Sequence, residues 1–121
     1  MAKILTVDDA AFMRNIIKRT LGTAGYAEIY EAVDGFHAIE QFKQIKPDLV
    51  LLDITMPNLN GLETLRVIRA ADPAANVVMC TAMGQESMVL DAMKYGARDF
   101  IVKPFKADRL IRTVVSIIGE P

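Results

Sequence analysis

The chain has 121 residues, a length that fits one domain built around one hydrophobic core. Hydrophobic residues make up 52% of the chain and charged residues 24%, which is ordinary for a soluble globular protein. The formal net charge is −1, so we expect neither a broad basic surface for nucleic acid nor a polybasic segment for a membrane surface.

No apolar run approaches the roughly 20 residues that a membrane span requires. Residues 1–10 are predicted to form a strand and part of a site, so we expect no cleavable signal. The single cysteine, Cys80, lies inside an apolar run and is expected to be a small buried side chain. Because no second cysteine is available for a disulfide, we expect a cytoplasmic protein.

Strand-like and helix-like segments alternate five times along the chain. The predicted strands are short apolar runs at 3–7, 28–32, 49–52, 77–80 and 99–102. The predicted helices cover 11–24, a segment ending at 45, 62–71, 85–95 and a last helix that includes 110–118. Strict alternation predicts a parallel sheet with helices on both faces. A barrel would need about 250 residues, so we predict a doubly wound (βα)5 fold with the flavodoxin-like strand order 2-1-3-4-5.

Four of the predicted strands end on polar side chains. Asp8 and Asp9 follow the first strand, Asp53 follows the third, Thr81 the fourth and Lys103 the fifth. In an open parallel sheet, ligands bind outside the carboxyl ends of the strands, at the point where the strand order reverses. This order reverses between the first and third strands, so the sequence predicts an acidic site at that edge.

Three carboxylates at one edge repel each other, and one pair 4 Å apart costs about 4 kcal/mol at an effective dielectric constant near 20. A bound cation, the protonation of one acid or the Lys103 ammonium could offset this cost. Oxygen ligands without His or Cys suit Mg²⁺, for which Mn²⁺ can substitute. From the residue types alone, Asp9 and Asp53 are the expected direct ligands, with Asp8 next to them. The alternative for Asp8 and Asp9 is that they are N-caps of the following helix.

An aspartate beside a metal ion and a lysine can act as a nucleophile toward phosphorus and form an aspartyl phosphate. Lys103 and the Thr81 hydroxyl could each bind one phosphoryl oxygen. Either residue alone would indicate only an ordinary position at the end of a strand, so the hypothesis depends on the whole set.

Four segments together match a known family. They are VDDAAFMR at 7–14, DLVLLDITMPNLNG at 48–61, CTA at 80–82 and GARDFIVKPF at 96–105. Through them the chain resembles, over essentially its whole length, the receiver domains of two-component response regulators. Within that family it is most similar to the stand-alone chemotaxis regulators of the CheY type.

The resemblance implies that Asp53 accepts a phosphoryl group from a sensor histidine kinase. It also implies that Asp8 and Asp9 bind Mg²⁺ together with Asp53 and the backbone carbonyl of Thr55. Beyond its own phosphotransfer and dephosphorylation, such a protein is not an enzyme.

Further implications concern the switch that follows phosphorylation. Thr81 moves toward the phosphoryl group, Phe100 takes the place of the aromatic switch residue, Lys103 binds phosphate, and the Lys103–Pro104 bond is expected to be cis. The best-known chemotaxis members carry Tyr rather than Phe100, so an output that uses the Tyr hydroxyl is not implied here.

The surface of the fourth helix, fifth strand and fifth helix is expected to bind the partner, the flagellar motor switch protein. Its candidate contact residues are Met88, Leu90, Tyr95, Phe100 and Arg109. Thr55 and Met83 occupy two variable family positions that tune dephosphorylation and the use of a phosphatase, a possible further partner. We expect a monomer without an output domain, because the residues after 118 are too few to form one.

Three other interpretations stay open. A phosphatase of the haloacid-dehalogenase type has a second Asp two positions after its nucleophile, where this chain has Thr55, and usually a cap insertion. A flavin or nucleotide carrier needs a Gly- or Thr-rich loop after the first strand, where this chain has Asp-Asp-Ala-Ala. Within the family, the chain could also be a receiver excised from a longer transcriptional regulator or a phosphorelay intermediate.

Overall fold

The computed structural model describes residues 2–121, in which five strands alternate with five helices. The strands are β1 (Lys3–Val7), β2 (Glu28–Ala32), β3 (Leu49–Asp53), β4 (Val77–Ala82) and β5 (Asp99–Lys103). The helices are α1 (Ala11–Ala24), α2 (Gly35–Ile45), α3 (Gly61–Ala71), α4 (Glu86–Lys94) and α5 (Ala107–Ile118). All strand pairs are parallel and the order is β2-β1-β3-β4-β5, which confirms the predicted flavodoxin-like fold.

The strands β3, β4 and β5 extend one or two residues further than the sequence pattern predicts. Asp53 pairs with Cys80 in the β3–β4 ladder, and Lys103 pairs with Ala82 in the β4–β5 ladder. Backbone pairing therefore continues past the end of each apolar run, because ladder hydrogen bonds do not depend on the side chain. As a result, Asp53 and Lys103 are held inside the sheet rather than on loops.

The sheet separates two hydrophobic clusters, and every residue of β3 is buried. One cluster packs under α1 and α5 and includes Ile17, Leu21, Leu110 and Val114. The other packs under α2, α3 and α4 and includes Ala38, Phe42, Leu65, Ile68, Val89 and Ala92. Successive side chains of a strand point to opposite faces of the sheet, so one strand contributes to both clusters. Leu51 faces the first cluster, and Val50 and Leu52 face the second.

Cys80 is buried and free, as predicted. Within residues 2–121, none of the helices combines the length and the apolar character that crossing a bilayer would require.

Candidate functional site

The three predicted acids meet at the carboxyl edge of the sheet, between β1 and β3. Asp8, Asp9 and Asp53 each offer a carboxylate oxygen, and these oxygens lie within 4.8 Å of one another. Asp8 and Asp53 are 3% and 6% exposed, whereas Asp9 is exposed. Because the strand order reverses between β1 and β3, the three acids meet at the edge of the sheet that the sequence predicts.

Asp8 is held by several hydrogen bonds that leave one carboxylate oxygen facing the site. Its Oδ1 accepts the Ala10 N–H at 2.9 Å, and its backbone carbonyl accepts a hydrogen bond from Arg14 Nη1 at 2.7 Å. Its own N–H donates to the Ala32 carbonyl at the end of β2. The N-cap of α1 is Ala10, and no side chain caps it, so Asp8 and Asp9 are not helix caps.

Lys103 provides the positive charge of the site. Its Nζ lies 3.2 Å from Asp53 Oδ1 and 3.3 Å from Asp8 Oδ2, with 19% of its side chain exposed. The peptide bond that follows it, Lys103–Pro104, is cis. The ammonium thus bridges the two buried carboxylates, while the exposed Asp9 makes no ion pair in the described part of the chain.

The pKa values of Asp53 and Lys103 reflect both their burial and their mutual attraction. Burial raises the pKa of the Asp53 carboxyl, repulsion from Asp8 adds to this, and Lys103 opposes it without reversing the direction. Burial alone would lower the pKa of the Lys103 ammonium, but its attraction to Asp53 and Asp8 is stronger and raises it. Lys103 therefore stays charged at neutral pH. Three carboxylates share this one ammonium, which leaves a site suited to a cation.

The backbone at Asp53 is fixed by the start of α3. The Gly61 N–H donates to the Ile54 carbonyl at 2.8 Å, and the Ile54 N–H donates to the Cys80 carbonyl at 3.1 Å. A Cβ atom at Gly61 would collide with the Asp53 carbonyl oxygen and with Ile54 Cα. Only glycine permits this approach of helix to strand, so the start of α3 can lie directly against the backbone of Asp53.

Thr81 and Thr55 are joined by a residue that the sequence patterns did not single out, Gln85. The Gln85 Oε1 accepts the Thr81 hydroxyl at 2.9 Å and the Ala82 N–H at 2.8 Å. Its Nε2 donates to the Thr55 hydroxyl at 2.6 Å. The sequence signal for Gln85 is weak, because it shows only a polar residue before a helix, four positions after Thr81.

Arg14 is the second residue that was missed. Besides the Asp8 carbonyl, its guanidinium contacts Glu31 Oε1 at 2.9 Å, and Lys18 contacts the other carboxylate oxygen of Glu31 at 3.0 Å. Arg14 lies within the quoted segment VDDAAFMR, but nothing in the sequence indicates its distant partner Glu31 on β2.

The predicted partner residues occupy different environments. Phe100 and Met88 are partly buried against the core, and Leu90 is 65% exposed. Tyr95 directly follows α4, and the Arg66 guanidinium lies over its ring, with Arg66 Cζ 4.8 Å from the ring centroid. Arg109 donates to the Phe100 carbonyl at 3.2 Å.

A cavity of about 510 Å³ lies between β4, α4 and β5. Its apolar walls include Met83, Val89, Leu90, Met93, Phe100 and Val102. We refer to it as the α4–β5 groove. Of the five predicted partner residues, Leu90 and Phe100 line it, whereas Arg109 lines a neighbouring cavity with Phe105 and Lys106.

Known proteins match this chain over almost its whole length. The profile of the response regulator receiver domain matches residues 4–115. The CheY chemotaxis protein of Listeria monocytogenes is 52% identical over 114 residues, which are 94% of this chain and 96% of that protein. The CheY chemotaxis protein of Bacillus subtilis is 51% identical over 112 residues, which are 93% of each chain.

A solved structure agrees in three dimensions. A chain in the crystal structure of the CheX–CheY–BeF3–Mg²⁺ complex from Borrelia burgdorferi matches with a TM-score of 0.91 and 35% identity, covering 96% of this chain and 88% of that one. The chain therefore belongs to the response regulator receiver domain family, and it is a CheY-like phosphoaccepting receiver rather than a classical enzyme.

Proposed function

We propose that this receiver is a phosphorylation-activated switch in chemotaxis and that Asp53 is its phosphoacceptor. The observation that carries the proposal is the position of the Asp53 carboxylate, which is 6% exposed and lies beside Asp8, Asp9 and the Lys103 ammonium. A carboxylate held among these groups is a nucleophile whose product charge can be compensated at once.

In the proposed transfer, an Asp53 carboxylate oxygen attacks the phosphorus of a phosphohistidine on the sensor kinase. The new O–P bond forms as the P–N bond breaks, and the imidazole of the donor retains the electron pair and takes up a proton. Lys103, 3.2 Å from Asp53, pairs with one oxygen of the transferred group. The Thr81 hydroxyl is the proposed donor to another.

The donor set fits Mg²⁺, because all the available ligand atoms are oxygens and the three carboxylates lie within 4.8 Å of one another. Asp8, Asp9, Asp53 and the Thr55 carbonyl are the proposed ligands, and Mn²⁺ could substitute. Once bound, the cation would neutralise charge on the carboxylates and on the incoming phosphoryl group.

The proposed output is a change in the surface of α4, β5 and α5. Movement of Thr81 toward the phosphoryl group would leave space beside the α4–β5 groove, into which Phe100 could turn. We assign partner contacts to Met88, Leu90, Tyr95, Phe100 and Arg109. Thr55 and Met83, both exposed, are assigned to the tuning of dephosphorylation.

The names of the relatives support the choice of chemotaxis partners. Two relatives that are 52% and 51% identical to this chain are chemotaxis proteins. A similar chain was crystallised in a complex that contains CheX, BeF3 and Mg²⁺. We propose a chemotaxis histidine kinase as the phosphodonor, the flagellar motor switch protein as the target and the cytoplasm as the location.

The proposal is tested with acetyl phosphate, a small phosphodonor, with and without Mg²⁺, and with intact mass as the readout. We expect a gain of one phosphoryl group that requires Mg²⁺ and is lost in Asp53→Asn. Asp91→Asn, which removes an exposed carboxylate on α4, is the matched control and should be phosphorylated normally. If no adduct forms and beryllofluoride does not bind, Asp53 is not a phosphoacceptor and the proposal is wrong.

A further inference from the structure

Gln85 connects the two strand ends beside the acidic site to the first turn of α4. Its Oε1 accepts hydrogen bonds from the Thr81 hydroxyl and the Ala82 N–H, and its Nε2 donates to the Thr55 hydroxyl. These bonds are 2.9, 2.8 and 2.6 Å long. One side chain therefore spans β4 and the loop that follows Asp53.

The orientation of the Gln85 amide follows from its partners. The Ala82 backbone N–H can only donate, so the amide oxygen must face β4 and the amide nitrogen must face Thr55. The orientation is therefore set by the backbone and does not depend on how the Thr55 hydroxyl is rotated.

The Thr81 hydroxyl has one proton to donate, and neither of its two acceptors is a group of the acidic site. It donates to Gln85 Oε1 at 2.9 Å or to the Ala82 carbonyl at 3.1 Å. Among the hydrogen bonds of residues 2–121, none joins Thr81 to Asp53. To donate to a group on Asp53, the Thr81 hydroxyl must give up both acceptors, of which Gln85 Oε1 is the nearer.

Gln85 also lies directly before α4 and lines the α4–β5 groove with Val89 and Leu90. It occupies the N-cap position, but its side chain does not cap the helix and instead binds the strand ends. Release of its side chain would therefore remove a restraint on the first turn of α4.

We propose that Gln85 is a positioning residue that holds the Thr81 hydroxyl away from Asp53, and that release of the Thr81–Gln85 bond couples phosphorylation to α4. This inference rests on the proposed function of Asp53 and Thr81. Because the bond is lost on activation, it favours the unphosphorylated state and weakens the binding of any group that recruits Thr81.

The test is a titration of the full chain with beryllofluoride and Mg²⁺, followed by NMR, for wild type, Gln85→Leu and Gln85→Ala. Both variants remove the nearer acceptor of the Thr81 hydroxyl and leave it only the Ala82 carbonyl. We therefore expect beryllofluoride to bind about three- to tenfold more tightly, the range for one net hydrogen bond. Ser87→Ala, an exposed change two residues further along, is the matched control and should bind as wild type does.

A second arm asks whether the effect passes through Thr81. In a Thr81→Ala background the hydroxyl is absent, so adding Gln85→Leu should leave the beryllofluoride affinity unchanged. A variant that only loosens the fold would weaken binding and lower the melting temperature, so tighter binding cannot come from general destabilisation.

Unchanged or weaker binding in both Gln85 variants would overturn the inference, as would an equal gain in the Thr81→Ala background. These failures are distinct from failure of the proposed function. If the wild-type chain binds no beryllofluoride and forms no adduct with acetyl phosphate, the phosphoacceptor assignment is wrong and the role of Gln85 falls with it. If the wild-type chain does both, only the role of Gln85 is refuted.

Discussion

Replacing Asp53 with Asn should stabilise the metal-free protein, although Asp53 is the centre of the site. At 4.8 Å, repulsion between two carboxylates costs about 3.5 kcal/mol at an effective dielectric constant near 20. Asp8 lies within this distance of Asp53, but the attraction of Asp53 to Lys103 at 3.2 Å contributes about 5 kcal/mol, so these two charges together favour the ionised Asp53 by about 1.5 kcal/mol. Taking the Asp53 carboxylate out of water costs several kcal/mol, and because the residue is only 6% exposed this cost exceeds the net attraction. Asp53→Asn should therefore raise the free energy of unfolding by about 2 kcal/mol.

The direction agrees with the pKa of Asp53, which lies above its usual range. A raised pKa in an acid means that its charged form costs stability in the folded state, and this cost is present at pH values above the raised pKa. The gain from Asp53→Asn should therefore be present at pH 7 and disappear below about pH 4, where Asp53 is protonated in the folded and unfolded chains alike.

The assay is urea unfolding in EDTA at pH 7, with Asp91→Asn as the control for net charge. Asp91 is exposed, so its replacement should change the stability by less than about 0.5 kcal/mol. Adding Mg²⁺ should stabilise the wild-type chain more than Asp53→Asn, because binding to the folded state alone adds stability by mass action. A loss of stability in EDTA on Asp53→Asn would refute the claim that burying the Asp53 charge costs more than its pairing with Lys103 returns.

Three further predictions concern the surroundings of the site. Gly61→Ala should lower the free energy of unfolding by about 1–3 kcal/mol, because the new Cβ would collide with the Asp53 carbonyl. It should also weaken Mg²⁺ binding. An unchanged melting temperature would contradict the predicted loss of stability. Glu31→Gln should lose about 0.5–1 kcal/mol at pH 7. Hydrogen bonds, the strongest of them from Lys18, hold the pKa of Glu31 below its usual value. The stabilisation by Glu31 is therefore lost as the pH falls through this lowered pKa. If urea unfolding showed that Glu31→Gln costs the same stability at pH 7 and at pH 3, the ion pair would not be its source. Burial raises the pKa of the Cys80 thiol to about 12, so thiol reagents at pH 8 should label it only in urea, and rapid labelling of the folded chain would contradict its burial.

Much of the fold could be predicted because it depends on local patterns. Apolar runs of strand length separated by amphipathic helices imply the parallel sheet, and the short chain excludes a barrel. The boundaries at the site were less accurate. Asp53 and Lys103 extend their strands because backbone pairing with a neighbouring strand, which no local pattern reveals, continues past the apolar residues.

Within the site, the types of the residues were predictable but their exposure was not. Reasoning from the residues alone favoured Asp9 and Asp53 over Asp8 as direct ligands of a cation. The structure buries Asp8 beside Lys103 and leaves Asp9 exposed, because consecutive residues at the end of a strand point in opposite directions. The contact between Asp8 and Lys103 joins residues 95 positions apart, so no local pattern indicates it.

The sequence by itself determined which chemical groups this protein brings to the edge of its sheet, because the order of strands and helices decides which residues follow each strand. Only the tertiary structure decided how those groups restrain one another. The bonds of Gln85 to Thr55, 30 residues earlier, and of Arg14 to Glu31 on β2 join segments that are adjacent only after the sheet has formed. Hydrogen bonds of this kind form only when separate elements are placed to within a few tenths of an ångström. No periodicity in the chain encodes that placement.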